Sequence, residues 1–229
     1  MEKIKRLLII PARSGSKRIR HKNIKIFYNK PIIYYPILNA IKSKLFSKIH
    51  VSTNSKLIMN IASKYGIEKD FLRPEYLSKD NTDLYLVIKY VKNYFDQKKL
   101  FFDEYWILLP CTPLLDKKDL INCSKLIKKN SRSVITISSY PKPLNWALEL
   151  KNDKLNAHKN LRNTRMAKKQ HFYDSGQLYC FLKKDLNKKK ITFKNFYPYK
   201  LPLEKSIDVD TPEEWEFMRK LYTLKKLVY

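Results

Sequence analysis

The stretch Leu7-Leu8-Ile9-Ile10-Pro11-Ala12-Arg13-Ser14-Gly15-Ser16-Lys17-Arg18-Ile19-Arg20-His21-Lys22-Asn23 joins an uncharged aliphatic run to a small, strongly basic loop. An unbroken apolar run stopped by proline has the pattern of a strand covered on both faces, as in a parallel sheet. Ligands of open parallel sheets gather at the carboxyl ends of the strands, where this loop begins. Its small residues let backbone N–H groups approach an oxyanion closely. Five Lys/Arg in the ten positions 13–22 can neutralise a triphosphate and the pyrophosphate that leaves it. The loop is neither a P-loop nor GxGxxG. A solvated basic loop would have the same composition, so residues 11–23 alone leave both readings open.

Working outward, short apolar runs alternate with segments of helical period. Pro31 suits the first turn of a helix, and Ile33, Ile37, Ala40, Ile41 and Leu45 recur at three-to-four spacing behind it. Ile49, Val51 and Thr53 read as a strand; Leu57, Ile58, Ile61, Ala62 and Tyr65 read as a helix ended by Gly66. Val87, Ile88, Val91 and Tyr94 mark a third helix, residues 105–109 a buried strand, residues 116–129 a fourth helix and residues 133–137 another strand. Further strands are expected at 177–182 and 206–209. Thr211 then caps a last helix, with Pro212 in its first turn, Glu213 and Glu214 at its positive end, and Trp215, Met218 and Leu221 on one face. Strands alternating with helices imply βαβ units, an α/β fold with a mostly parallel sheet, and one domain over residues 1–229. Residues 140–171, with Pro141, Pro143 and Trp146, break the rhythm and read as an excursion from the sheet.

The 229 residues include 48 Lys+Arg against 21 Asp+Glu, a formal +27, with 44% hydrophobic and 13% aromatic side chains. That is too apolar for a disordered polymer and enough for one sizeable core. A charge of +27 suits nucleic acid, but the cations are scattered one to three at a time, as at Lys42 and Lys44, Lys98 and Lys99, or Lys128 and Lys129. Scattered cations speak of a solvated surface, so no nucleic-acid partner is expected. Cys111, Cys123 and Cys180 form no CxxC pair, which excludes a zinc site or disulfide framework by spacing and fits a reducing compartment. The run at 7–10 is too short for a signal segment, and nothing approaches 18 uncharged apolar residues, so a soluble cytoplasmic chain with no membrane partner is expected.

In Ser206-Ile207-Asp208-Val209-Asp210-Thr211-Pro212, a strand would place both carboxylates on one face. Two such acids repel unless a cation lies between them, and Mg²⁺ accepts one or two carboxylates together with phosphate oxygens. The competing reading has Asp210 helping to cap the helix and Asp208 solvated. Arg73-Pro74-Glu75 with Ser78, Asp80 and Thr82, and Arg165 with Tyr173-Asp174-Ser175-Gly176-Gln177, read by themselves as turns and caps.

In this order the pieces resemble the cytidylyltransferases that activate nonulosonic (nine-carbon, sialic-acid-like) sugars with CTP. The family's Pro-Ala-Arg-x-Gly-Ser-Lys loop is matched by residues 11–24, its Gly-Lys-Pro-Ile by Asn29-Lys30-Pro31-Ile32, and its Val-Ser-Thr-Asp by Val51-Ser52-Thr53-Asn54. Its Arg-Pro-x-x-Leu-Ser-x-Asp-x-Thr segment is matched by residues 73–82, and its Asp-x-Asp-Thr-Pro ending by residues 208–212. The middle, Leu108-Leu109-Pro110-Cys111-Thr112-Pro113, Tyr140-Pro141-Lys142-Pro143 and Ser175-Gly176, is most similar to the pseudaminic acid cytidylyltransferases. Sialic-acid activators carry Gln-x-Thr-Ser-Pro and Asn-Gly at these places.

The resemblance implies a Rossmann-like nucleotidyltransferase sheet and transfer of CMP from CTP to the anomeric hydroxyl of a nonulosonic acid, with Mg²⁺ as cofactor. By matching position, Arg13, Ser14, Gly15, Ser16, Lys17, Lys22 and Asn23 would hold the nucleotide and its triphosphate. Arg73, Ser78, Asp80 and Thr82 would line cytosine and ribose, and Asp208 and Asp210 would hold Mg²⁺. Arg165, Tyr173, Gln177 and Lys142 would meet the sugar. The family also implies a homodimer in which the excursion reaches toward the partner. Ser14 stands where glycine is usual, and Asn54 replaces an acid, so Asn54 is given no role. The alternatives are a sialic, legionaminic or 3-deoxy-manno-octulosonate cytidylyltransferase and, from another class, a basic nucleic-acid-binding protein.

Overall fold

The aliphatic run of residues 7–10 forms the middle of β1 (Arg6–Pro11), with all four side chains fully buried. In the computed structural model, residues 4–157, 170–188 and 192–228 are described. The chain continues through β2 (Ile26–Phe27), β3 (Lys30–Pro31), α1 (Tyr34–Ser43), β4 (Lys48–Ser52), α2 (Lys56–Ser63) and α3 (Leu84–Gln97). Then come β5 (Glu104–Leu108), α4 (Lys117–Asn130), β6 (Ser133–Ser139), β7 (Leu148–Lys151) and β8 (Lys154–Ala157). The last elements are β9 (Phe172–Leu182), α5 (Lys183–Leu186), β10 (Phe196–Lys200) and α6 (Pro212–Val228).

Six strands make one sheet in the order β10-β6-β9-β5-β1-β4. β1 pairs in parallel with β4 and β5, and β10 pairs in parallel with β6. β9 runs antiparallel to both its neighbours, β5 and β6. Alternation along β1 explains why the run is apolar throughout. Leu8 and Ile10 join a core with Ile33, Ile37, Ile58, Leu120 and Ile127, while Leu7 and Ile9 join the opposite core with Val87, Ile88, Val91 and Phe95. A third cluster, Phe27, Ile32, Tyr35, Trp215 and Met218, fastens α6 to the segment behind the basic loop.

The structure corrects three local expectations. Pro31 is not in the first turn of α1; it lies in the two-residue ladder of β3 with β2, and Pro36 takes the early helical place instead. Both positions tolerate a missing donor. Leu45 lies beyond the helix, which stops at Lys44 with φ 56°. Residues 206–209 belong to no strand and no ladder, and β10 occupies the edge beside β6. That segment is held by Gln177 Nε2, which donates to the Ile207 carbonyl at 3.0 Å.

β9 starts five residues before the expected position and carries a bulge. Its register shifts between Ile135, opposite Tyr179, and Ile137, opposite Asp174. Gly176 takes φ 68° there, a conformation that favours glycine, and its N–H donates to Asp174 Oδ1. The hydroxyls of Ser175 and Thr136 bond each other at 2.7 Å and satisfy the backbone opened by the bulge. The excursion after Tyr140 contains the hairpin of β7 and β8, a separate two-stranded sheet turned by Asn152 and Asp153 at φ 50° and 58°. Among the described residues no helix is long and apolar enough to cross a membrane.

Candidate active site

Beyond the carboxyl ends of β1 and β5 lies a cleft of about 250 Å³. The loop after β1 supplies one wall with Arg13, Ser16, Lys17, Lys22 and Asn23. The segment between α2 and α3 supplies Arg73, Asp80 and Thr82, the bulged β9 supplies Gln177, and the approach to α6 supplies Asp208 and Asp210. Lys17 and Asp210 therefore face one cleft although 193 positions separate them in the chain (210 − 17).

Local bonds explain how a loop with few ordinary elements keeps its shape. Asn23 is buried, and its Nδ2 donates to the Arg13 carbonyl at 2.8 Å, closing the loop on itself. Asn54, just past β4, accepts the Ser14 N–H at 3.0 Å and donates to Glu75 Oε2 at 2.9 Å. One amide thus ties the basic loop to the wall that carries Arg73, using its acceptor on one side and its donors on the other. Ser14 and Gly15 lie in the loop but not on the cleft lining.

Two cation–carboxylate groups cross the cleft. Asp80 receives Arg13 through Nη1 and Lys17 through Nζ, the latter at 2.8 Å. These two cations hold the Asp80 carboxyl down at about 2. Asp210 receives Arg18 Nη2 at 2.7 Å and Lys22 Nζ at 3.1 Å, and Lys22 also donates to the Val209 carbonyl. Burial acts to raise the Asp210 carboxyl, but Lys22 and Arg18 outweigh it and hold it below the usual range. Asp208 goes the other way: burial pushes it up and the Asp210 charge adds to the rise. Capping of α6 does not use Asp210's side chain. Thr211 Oγ1 accepts from the Glu214 N–H, and Glu214 Oε2 accepts from the N–H groups of Thr211 and Asp210. Both aspartates are left to the cleft.

Arg73 is 5% exposed, and burial together with the nearby Arg13 lowers its guanidinium to about 10. Its Nε donates to Ser78 Oγ at 3.2 Å, and it makes no ion pair among the described residues. A buried cation without a carboxylate, set on a cleft wall, is a receptor for an anion or a carbonyl oxygen. Ser78 stands behind it, off the lining.

Other expected residues fall elsewhere. Tyr173 bonds Ser206 Oγ at 2.8 Å and packs edge-on against Tyr140, which steadies the segment leading to Asp208. Lys142 is exposed over the Trp146 ring on the excursion. Arg165 lies outside the described residues. Arg18, Lys79, Leu109, Cys111 and Thr112 also line the cleft without having been singled out. Arg18 was one of five cations that spacing cannot rank. Burial pushes the Cys111 thiol up to about 12 against the pull of Lys22, so it stays neutral and is no nucleophile. Among the described residues no group of three or more His, Cys, Asp or Glu could hold a metal ion. A cation here would need oxygens from a bound phosphate beside Asp208 and Asp210.

A protein-family model described as cytidylyltransferase matches residues 7–229. The chain belongs to that family. A pseudaminic acid cytidylyltransferase of Campylobacter jejuni is 31% identical to this cytidylyltransferase, over 96% of the chain and 97% of the relative. A CMP-N,N'-diacetyllegionaminic acid synthase of Legionella pneumophila is 29% identical, with the same shares covered. Among solved structures, CMP:2-keto-3-deoxy-manno-octonic acid synthetase complexed with CTP superposes with TM-score 0.72 at 15% identity, over 96% of this chain and 99% of that one. A 4-diphosphocytidyl-2C-methyl-D-erythritol synthase superposes with TM-score 0.67 at 10% identity, over 97% and 100%. The fold is that of the nucleotidyltransferases, as expected, and the chain is a nucleotidyltransferase enzyme.

The Asn54 tie gives a first test. Asn54→Ala removes both its bonds, each worth about 1 kcal/mol, and should raise the KM for CTP roughly tenfold with a smaller change in kcat. Asn54→Asp keeps the acceptor but sets a carboxylate against Glu75, and should do the same. Unchanged CTP kinetics in both variants would show that the tie does not position the loop.

Proposed function

We propose that the protein transfers CMP from CTP to the anomeric hydroxyl of a nonulosonic acid, with pseudaminic acid as the first candidate, releasing pyrophosphate. The observation that carries this reading is the single cleft joining the cationic loop to the Asp208–Asp210 segment. The hydroxyl oxygen attacks the α-phosphorus in line, and the bond to the β-phosphate oxygen breaks. Such chemistry depends on positioning and charge stabilisation more than on a covalent nucleophile. Arg13, Lys17 and Lys22 take up the charge that grows on the pyrophosphate. Arg73, desolvated and without a carboxylate partner among the described residues, holds an oxygen of the nucleotide, and Asn23 and Thr82 border the same space.

Asp208 and Asp210 are the residues that would hold Mg²⁺. Two carboxylates completed by phosphate oxygens match its oxygen-rich coordination. When bound it would supply charge neutralisation at the α-phosphate and lower the pKa of the attacking hydroxyl. Lys22 and Arg18 hold Asp210 ionised and aimed into the cleft meanwhile.

A second cavity of about 460 Å³ adjoins the first and shares Leu84 with it. Ile107, Ile135, Tyr179, Phe181 and Phe193 line it. An apolar, aromatic space beside a nucleotide cleft suits the acyl and methyl substituents of the acceptor sugar. Pseudaminate is favoured by Ser175-Gly176, and legionaminate is the nearest alternative. On the β7–β8 hairpin, Leu148, Leu150 and Leu155 stand 60–70% exposed, which favours the homodimer. A partner's excursion would bring Lys142 toward the sugar. Leu150→Lys with Leu155→Lys should then convert a dimer to a monomer in light scattering; a species of unchanged mass would remove the hairpin from the interface.

The deciding assay offers CTP and magnesium with pseudaminic, legionaminic, N-acetylneuraminic and 3-deoxy-manno-octulosonic acids, following pyrophosphate and the CMP-sugar by mass spectrometry. A CMP-nonulosonate is expected. Turnover confined to the eight-carbon acid, or none that depends on CTP, refutes the reading.

A further inference from the structure

Asp80 is an acid in a cleft built for a polyanion, and it faces the cations that the reaction needs. One carboxylate oxygen takes Arg13 Nη1 and the other takes Lys17 Nζ at 2.8 Å. Both of its hydrogen-bonding edges are used on these two residues, and no third donor among the described residues fixes it. The Asp80 side chain is half exposed, at the end of the segment whose Thr82 and Arg73 share the same lining. No ladder or helix constrains it, since residues 78–83 lie between a short 3-10 turn and α3. A pyrophosphate group entering the cleft competes for the same N–H groups, and one carboxylate and one phosphate cannot both occupy Arg13 Nη1 and Lys17 Nζ.

We infer that Asp80 is an internal stand-in for pyrophosphate: it holds Arg13 and Lys17 when the cleft is empty, yields them to CTP, and reclaims them as the product leaves. The inference rests on the CMP-transfer reading above and adds to it a residue that sets the release step. Its effect on anion binding is opposite in sign to that of a residue which merely shapes the loop. A like charge beside the phosphate site weakens binding of every polyphosphate, so removing it tightens binding. Product release limits many enzymes, and a tighter grip on pyrophosphate then slows turnover.

The test compares the wild type with Asp80→Asn and Asp80→Glu by calorimetric titration with inorganic pyrophosphate, alongside steady-state kinetics in CTP. Asp80→Asn should bind pyrophosphate at least fivefold more tightly, show a lower KM for CTP and a lower kcat, and be inhibited by less added pyrophosphate. Asp80→Glu keeps the charge and should show no gain in pyrophosphate affinity. Gained affinity cannot come from a damaged fold, which separates this outcome from a structural role. If the wild type binds pyrophosphate but Asp80→Asn binds it equally or more weakly, the stand-in role is wrong and the CMP-transfer reading survives. If the wild type binds neither pyrophosphate nor CTP, both fall together.

Discussion

Asp210→Asn is expected to reduce CMP transfer at least a hundredfold while the protein stays folded, and Asp208→Asn to do the same. Removing one preorganised charged contact of this kind costs about 2.7–4 kcal/mol in the barrier, a hundredfold to a thousandfold. The two variants should differ in detail. Asparagine at 210 also releases Lys22 and Arg18 from their shared carboxylate, so nucleotide affinity changes with turnover. Asparagine at 208 disturbs no ion pair among the described residues and should act on kcat almost alone. The α6 cap, made by Thr211 and Glu214, is untouched in either variant, which is why the fold should survive. Steady-state rates at several magnesium concentrations, with far-UV circular dichroism as the fold control, check the pair. Near-normal magnesium-dependent transfer by either variant would falsify the metal role of these carboxylates.

Arg73→Met should move stability and activity in opposite directions. The guanidinium is buried, lowered to about 10 by its surroundings and unpaired among the described residues, so the ligand-free protein bears its desolvation. An apolar side chain of similar length removes that cost and leaves Ser78 its bond to the Pro74 carbonyl. The ligand-free Tm should rise by roughly 3 °C, which is about 1 kcal/mol for a chain of this size. Activity should fall at least a hundredfold in kcat/KM for CTP, because the desolvated charge meets its partner only when nucleotide is bound. The rise in Tm that CTP confers on the wild type should vanish as well. A variant that melts lower and still responds to CTP would make Arg73 a structural residue.

How far these features can be seen in the sequence depends on how local their causes are. The run at 7–10 with its basic loop, and the aspartates of residues 208–210 before Thr211-Pro212, carry their chemistry in consecutive residues, and the structure brings both to one cleft. β10 was not visible, because Pro198 interrupts Phe196–Lys200; proline is tolerated there since β10 is an edge strand paired on one side only. The start and direction of β9 were hidden by the bulge at Gly176, which breaks the period-two pattern that a strand reading needs. Asn54 was set aside for lacking a charge, yet a neutral amide is what can accept from Ser14 and donate to Glu75 at once. Which of the five loop cations meets Asp80 and which meets Asp210 is decided across more than fifty residues of intervening chain, and spacing carries no trace of it.

The antiparallel placement of β9 has a bearing on how the chain is made. Among the described residues the trio β4-β1-β5 and the pair β10-β6 share no ladder with each other, and β9 joins them. Until residues 172–182 have left the ribosome, β5 and β6 each present an open edge in a chain already rich in exposed aliphatics, which is the condition for edge-to-edge association. Catalytic assembly comes later still, because Asp208 and Asp210, which complete the cleft, are synthesised after the joining strand. Nascent chains stalled before residue 172 should be the species that chaperones hold, and a ribosome that pauses there would expose the halves for longest.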